Sequence, residues 1–357
     1  MAQPLTYIPE VISAHIEEAE FLSEQYLAGI ANGTPIAEPD QVYLHDIANR
    51  LNANLDGLLL TPDISWKEIA PLLESGIASI FFVASAVAFG SGNVERIKQV
   101  VDQSAADSYC LEAVAFGMAW QPWGRTAFWA QKFIQSERFE LTYIGLYCHL
   151  WHKQIQGAAP ASVFERLFAK DPEADFLRLV LRLVVQARDV AVVPVMRQLS
   201  QGLPVEGDLS ETRYLYLKAR LLVGDTTALA ALKPFVTTPW DSREDAVSLV
   251  FSHLDAATAK QWLRDLQQLS DRDRLMLLAI AALREKDLLP WVVNQMAKPE
   301  LSRLAGYTVG CILGVDIEAQ GWVMDDSALD EKWLELEGDE MLPWPDMSAI
   351  KSALGIR

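Results

Sequence analysis

Apolar residues return every three or four positions along nearly the whole chain, and no stretch shows the sustained period-two alternation that a half-buried strand requires. That pattern excludes a sheet-built core and sets the class as all-α. In the first segment Val11, Ile12, Ile16, Ala19, Leu22 and Tyr26 share one helical face, between Pro9, a favoured first-turn residue, and the Asn32-Gly33 stop. The same reading predicts helices at 9–30, 39–60, 65–74, 77–90, 93–104, 107–119, 123–136 and 139–156. Beyond Gly157-Ala-Ala-Pro160 it predicts further helices at 161–169, 172–187, 190–201, 209–223, 226–235, 240–254, 256–268, 271–285, 287–297 and 299–312.

Helices of about 10 to 20 residues separated by short breaks describe a run of hairpins. Gly202-Leu-Pro204, Gly224-Asp225 and Thr238-Pro239 are such breaks. Two helices in about 30 to 45 residues is the size of a HEAT or armadillo unit, whose stacked copies bury a core that no copy could bury alone. The clearest unit spans 271–316, where Leu275, Leu278, Ala279, Ala282 and Leu283 precede a polar turn at Lys286-Asp287. The expected architecture is therefore a HEAT/armadillo-like α-solenoid with an irregular acidic C-terminal cap. Its expected regions are helical hairpins over 1–157, HEAT-like repeats over 158–316 and the acidic, aromatic cap over 317–357.

The chain changes character after Gly314. Between 325 and 346 nine acidic residues face a single Lys, interleaved with Trp and Leu and interrupted by Pro343 and Pro345, which rules out one regular helix. A solenoid needs a polar-faced segment over its last repeat, so a cap explains this stretch. The alternative is a contact surface for a basic partner, carried by Asp325, Asp326, Asp330, Glu331, Trp333, Glu335, Glu337, Asp339, Glu340 and Trp344.

Charge narrows the partner. The 48 acidic residues outnumber the 30 basic ones, and a net charge of −18 repels a phosphate backbone, so direct nucleic-acid binding is not expected. The same field favours solubility and speeds encounter with a basic protein. Eleven Trp suit helix seams or exposed anchors. The most apolar stretch, 77–92, is shorter than the roughly 18 to 20 residues of a membrane span and reads as a buried helix. The start of the chain has neither a basic region nor an apolar run, so no export signal is expected and the cytoplasm is the expected location. Cys110, Cys148 and Cys311 are odd in number and widely spaced, as reduced core thiols are.

Chemical motifs are scarce. His149 and His152 stand at i and i+3 beside Cys148, a spacing that brings two imidazoles to one helical face. A zinc site needs three or four ligands, and no other His or Cys completes a recognisable spacing, so packing is the expected role and neither metal nor cofactor is expected. His15 with Glu17, Glu18 and Glu20, and likewise His45 with Asp46, read as solvated acidic helix faces, since the Glu-x-x-His of paired-helix di-iron sites is missing there. The chain contains no G-x-S-x-G elbow, no phosphate-binding G-x-x-x-x-G-K-[ST] and no G-x-G-x-x-G after a strand. A binding protein is expected in place of an enzyme. An enzyme on a HEAT-like scaffold, such as a DNA-repair glycosylase, would need a basic groove that the net charge opposes.

Four segments resemble a known family. IPEVISAHIEEAEFLSEQY (8–26), LHDIANRLNANLDGLLL (44–60), SRLAGYTVGCILGVDI (302–317) and DEMLPWPD (339–346) are similar, in this order, to recurring segments of an uncharacterised bacterial family with HEAT-like repeats. Genes of that family often lie beside type VI secretion effector and spike-tip genes. The resemblance implies an effector's immunity protein or accessory binder, and the acidic charge suits occlusion of a co-encoded toxin such as a basic nuclease. An adaptor or chaperone that loads the effector onto the spike is the other implied role. Where the family commonly carries His in an A-H-L-D-G-like motif, this chain has Asn54, so the role of that His has no counterpart here.

Overall fold

The structure is a computed structural model and describes residues 8–31, 38–155, 159–170, 172–199, 209–324, 333 and 338–356. Among them the regular elements are helices, with one isolated antiparallel bridge between Val323 and Pro345. Two compact units form, Met1–Gly202 and Leu203–Arg357.

The first unit contains α1 (Pro9–Ala31), α2 (Glu38–Leu60), α3 (Pro62–Leu72), α4 (Ala78–Ser91), α5 (Val94–Ser104), α6 (Ser108–Trp120), α7 (Trp123–Ile134), α8 (Phe139–Trp151), α9 (Ala159–Phe168), α10 (Ala174–Ala187) and α11 (Val193–Leu199). Consecutive partners α1 with α2 and α7 with α8 form hairpins, while α4 packs on α1 and α6, and α6 packs on α8. Helix α4 is the centre of this unit: every residue from Ser79 to Phe89 is buried, including Phe81, Phe82, Val83, Val87 and Phe89. Each such side chain contributes about 1.5–3 kcal/mol relative to leaving it in water. A helix apolar on all sides must be buried on all sides, as the 77–92 pattern requires.

The close approach of α4 and α6 depends on Gly117. A Cβ at that position would lie 2.4 Å from the Phe82 carbonyl oxygen and 2.8 Å from Ser85 Cβ. Across the same seam Ser85 Oγ donates to the Val114 carbonyl at 2.7 Å, which satisfies a buried hydroxyl. Helix starts follow local chemistry: Asn93 accepts from the amides of Glu95 and Arg96, and Asp107 accepts from that of Cys110.

The second unit contains α12 (Glu211–Leu222), α13 (Ala228–Thr237), α14 (Arg243–Phe251), α15 (Ala256–Leu266), α16 (Arg272–Leu283), α17 (Leu289–Gln295), α18 (Pro299–Leu313) and α19 (Met347–Leu354). Here α13 pairs with α14 and α17 with α18, while α14 packs on α16 and α16 on α18. Arg243, 5 % exposed, ties three helix ends together: it donates to the carbonyls of Val236 (2.8 Å) and Thr237 (3.2 Å) and to Asp271 (2.8 Å).

The predicted helices are found with shifted ends, and three include a 3-10 turn, the first being 65–74, which closes with Leu73–Ser75. The 190–201 segment opens with a 3-10 turn, Val190–Val192, whose Ala191 amide is capped by Asp189, and 287–297 opens with another at Lys286–Leu288. Helix α19 was not predicted. None of the eleven Trp is exposed; Trp262 and Trp344 are buried and the others half-buried. Cys110 and Cys148 are buried free thiols and Cys311 is half-buried. No helix among the described residues is long and apolar enough to cross a membrane.

Candidate functional site

Of the residues expected to meet a partner, Asp325, Asp326, Asp330, Glu331, Glu335 and Glu337 lie outside the described residues. The other four fall in or beside the segment that follows α18 and leads into α19. The chain leaves α18 through Gly314, in the left-handed region at φ 69°, and pairs back on itself: the Met324 amide donates to the Trp344 carbonyl and the Asp346 amide to that of Trp322, both at 2.8 Å. Asp346 then caps α19 by accepting from the amides of Ser348 and Ala349 at 2.9 Å. On α18, Gly306 leaves the room that Pro345 occupies, since a Cβ there would lie 2.9 Å from the proline Cβ.

This folding back buries Trp344. Its ring is 5 % exposed, with the Arg303 guanidinium 4.3 Å from the ring centroid and the half-buried Trp333 ring at 5.3 Å. A cation over an indole face is an attractive pairing that gains strength when both are shielded from water. The Trp344 indole nitrogen and the Arg303 Nε and Nη1 atoms are buried without hydrogen-bond partners among the described residues.

Asp339 faces inward as well. It follows Gly338 (φ 102°) and itself adopts φ 55°, a left-handed conformation that Asp tolerates better than most residues. The turn is closed by the Leu342 amide donating to the Asp339 carbonyl at 2.8 Å. Arg274 on α16 donates to both carboxylate oxygens of Asp339, at 2.7 and 2.8 Å, and to Glu244 on α14, at 2.6 and 3.1 Å. Hydrogen bonding to Asp339, reinforced by Glu244, holds the Arg274 guanidinium above its already high ordinary pKa against the opposing effect of burial. Glu340 and Met341 face solvent, Met341 being 71 % exposed. The structure therefore separates these residues: Asp339 and Trp344 hold the segment to the helices, whereas Glu340 faces solvent.

A second acidic face lies on α1. Glu10, Glu17 and Glu24, spaced by seven residues, are all exposed, and among the described residues none has a cation within ion-pair distance. Phe21, 52 % exposed, lies on the same helix. The expected solvated acidic face is found at Glu17, whereas His15, Glu18 and Glu20 are half-buried and partnered. His15 is half-buried, its Nδ1 lies 2.8 Å from Asn54 Oδ1, and its ring fills the space that Gly57 leaves on α2. Glu20 accepts from Ser79 of α4 at 3.0 Å, and Glu18 pairs with Arg50. His45 and Asp46 are exposed.

His149 and His152 both lie against Trp123, with ring centroids 5.1 and 5.4 Å away. Both ring nitrogens of the buried His149 and Nε2 of His152 lack hydrogen-bond partners among the described residues. Burial holds both imidazoles below their ordinary pKa; His152 adds to the shift at His149, and the Ala119 and Gln121 carbonyls oppose it at His152. Cys148 Sγ is directed to Thr126 Oγ1, 3.7 Å away. Burial pushes its thiol up to about 11, and burial with Asp107 nearby pushes Cys110 to about 12. These thiols are far from the thiolate character of a nucleophile. Among the described residues no group of three or more His, Cys, Asp or Glu is arranged to hold a metal ion.

Sequence reasoning missed Arg274, Glu244 and Arg303. Arg274 belongs to the charged run 271–274 that opens α16, which signals a helix start and carries no sign of its distant partners. Comparison with family models, with curated proteins and with solved structures finds no match to this chain.

Proposed function

We propose that this protein is a HEAT-like solenoid that binds a basic protein and occludes it, acting in the cytoplasm as the immunity protein of a co-encoded, type VI secreted toxin. The observation that carries the proposal is the net charge of −18. Part of that charge stands on α1, where Glu10, Glu17 and Glu24 project into solvent without cationic partners among the described residues. Seven residues of helix separate successive carboxylates by about 10.5 Å along the axis, so they present a row of negative charge. Such a row competes with a phosphate backbone for the basic cleft of a nuclease and accelerates the encounter.

The helix packing supports the solenoid part of the proposal. Contacts of α4 with α6, α6 with α8, α14 with α16 and α16 with α18 follow the every-second-helix pattern of stacked hairpins, within each unit. The Arg274–Asp339 pair and the buried Trp344 support a capping role for the segment before α19. The resemblance of 8–26, 44–60, 302–317 and 339–346 to HEAT-like proteins encoded beside type VI effectors supplies the biological setting.

Co-expression tests the proposal. Cells producing the effector encoded beside this gene are expected to survive when this protein is present, and the two are expected to co-purify; failure of both outcomes ends the immunity reading. Deleting the gene separates immunity from effector loading. Self-intoxication marks immunity, whereas loss of delivery without self-killing marks an adaptor.

A further inference from the structure

One part of the surface runs against the overall charge. Between α5, α7 and the start of α8 lies a half-open cleft of about 320 Å³, with Ile97, Val101, Trp129 and Phe133 as its apolar floor. Lys98, Lys132 and Asp102 also line it, and both lysines are exposed. Neither lysine has a carboxylate within ion-pair distance among the described residues, although acids outnumber bases 48 to 30 along the chain. Lys132 Nζ lies 5.5 Å from the centroid of the Trp129 ring. Arg138, the third cation at the cleft, is already held by Asp102 at 2.9 Å and Glu140 at 3.4 Å. Helix α7 carries Arg125 and Lys132 and no acidic residue.

Exposed apolar side chains flank the cleft. Phe128 is 68 % exposed and meets the Trp129 ring edge-on with centroids 5.3 Å apart, and Val94, at the mouth, is 57 % exposed. An aromatic ring left in water beside an apolar cleft costs free energy that a partner recovers on binding.

We propose that this cleft docks an acidic peptide segment of another protein, which inserts one Phe- or Leu-sized side chain onto the Ile97–Trp129 floor and sets flanking carboxylates against Lys98 and Lys132. Charge selects the partner, because the two unpaired lysines are a local cationic exception on an anionic chain. Shape selects a peptide over a small molecule. Sites for small ligands run from about 300 to 1,000 Å³ and enclose most of the ligand, whereas a half-open cleft at the bottom of that range grips one side chain and leaves the rest of the segment lying across Phe128 and Val94. The site is independent of the toxin-binding reading, which calls for a basic partner and an acidic face.

Fluorescence anisotropy on the full chain tests the inference, with a fluorescein-labelled, end-blocked peptide carrying a central Phe flanked by Glu. Binding is expected, with loss of at least tenfold in affinity in K98E/K132E. A marked loss is also expected when salt is raised from about 0.05 M to about 0.5 M. Both lysines are exposed, so the double variant folds, and circular dichroism checks it. The variant should in turn bind the same peptide with Lys in place of Glu more tightly than the native chain does. A Phe-to-Ser peptide is expected to bind at least tenfold more weakly. Absence of binding, or equal affinity in the native chain and K98E/K132E, overturns the proposal. Displacement of the peptide by an equal concentration of phenylacetate overturns it in favour of a small-molecule pocket.

Discussion

Removing the Arg274 guanidinium should loosen the segment before α19 by an amount that depends almost entirely on Asp339. R274M keeps much of the apolar stem and deletes the charge, and D339N keeps a residue tolerant of the left-handed turn while deleting its partner charge. The Arg274–Asp339 contact is bidentate, and the Asp339 side chain is only 15 % exposed. A charge-assisted pair so shielded is worth about 1.5–2 kcal/mol. Glu244 is 48 % exposed, so its pairing with Arg274 falls to about 0.5 kcal/mol, the range of surface ion pairs. A double-mutant cycle on R274M and D339N should therefore yield a coupling about three times that of R274M with E244Q.

Hydrogen exchange gives the local readout, because the Met324 and Asp346 amides donate to the Trp344 and Trp322 carbonyls. A loss of about 1.5–2 kcal/mol corresponds to roughly 10- to 30-fold faster exchange at these two amides. Amides in the middle of α4 should keep their rates. If the two couplings are equal and both below about 0.5 kcal/mol, or if exchange at Met324 and Asp346 is unchanged in R274M, the latch assigned to Arg274 does not exist.

Other outcomes follow from the same geometry. G117A should lower stability by about 2–3 kcal/mol or more, because its Cβ meets backbone 2.4 Å away, whereas G124A, with nothing within 4 Å, should be neutral or stabilising by up to about 1 kcal/mol; thermal melts of the pair decide. Cys110 and Cys148 should resist iodoacetamide at pH 8 in the folded protein and react on unfolding, since burial raises both thiols. The lowered folded pKa values of His149 and His152 make the unfolded chain the better proton acceptor, so their stability contribution is complete above about pH 6.5 and is lost as pH falls below it. Urea unfolding at pH 7.5 and 5.5 should show a smaller pH effect in H149F than in the native chain.

The helical class was legible because period is local: each apolar face, such as Ile12, Ile16, Ala19 and Leu22, announces itself within its own segment, although Val11, read on the same face, is 47 % exposed. Burial of α4 was legible for the same reason, since it is apolar on every side. Pairings across long sequence distances were not. Arg274 meets Asp339 across 65 residues, and His15 meets Asn54 across 39, with nothing in either neighbourhood to signal the partner. Asp339 and Trp344 belong to one acidic, aromatic stretch by composition, yet the fold turns both inward and leaves Glu340 outside, because Gly338 and the turn at Asp339 redirect the chain. The cationic cleft was equally invisible: Lys98 and Lys132 are ordinary surface lysines in sequence and become distinctive only where α5 and α7 bring them to one cleft.

The most direct test of the immunity proposal is a titration of this protein into the purified effector encoded beside its gene, following complex formation by calorimetry and toxin activity in the same mixtures. A one-to-one complex is expected, weakening steeply as salt rises, with activity lost in proportion to complex formed. E10K/E17K/E24K should weaken it further. No complex, or a complex in which the toxin keeps its full activity, would contradict the proposal.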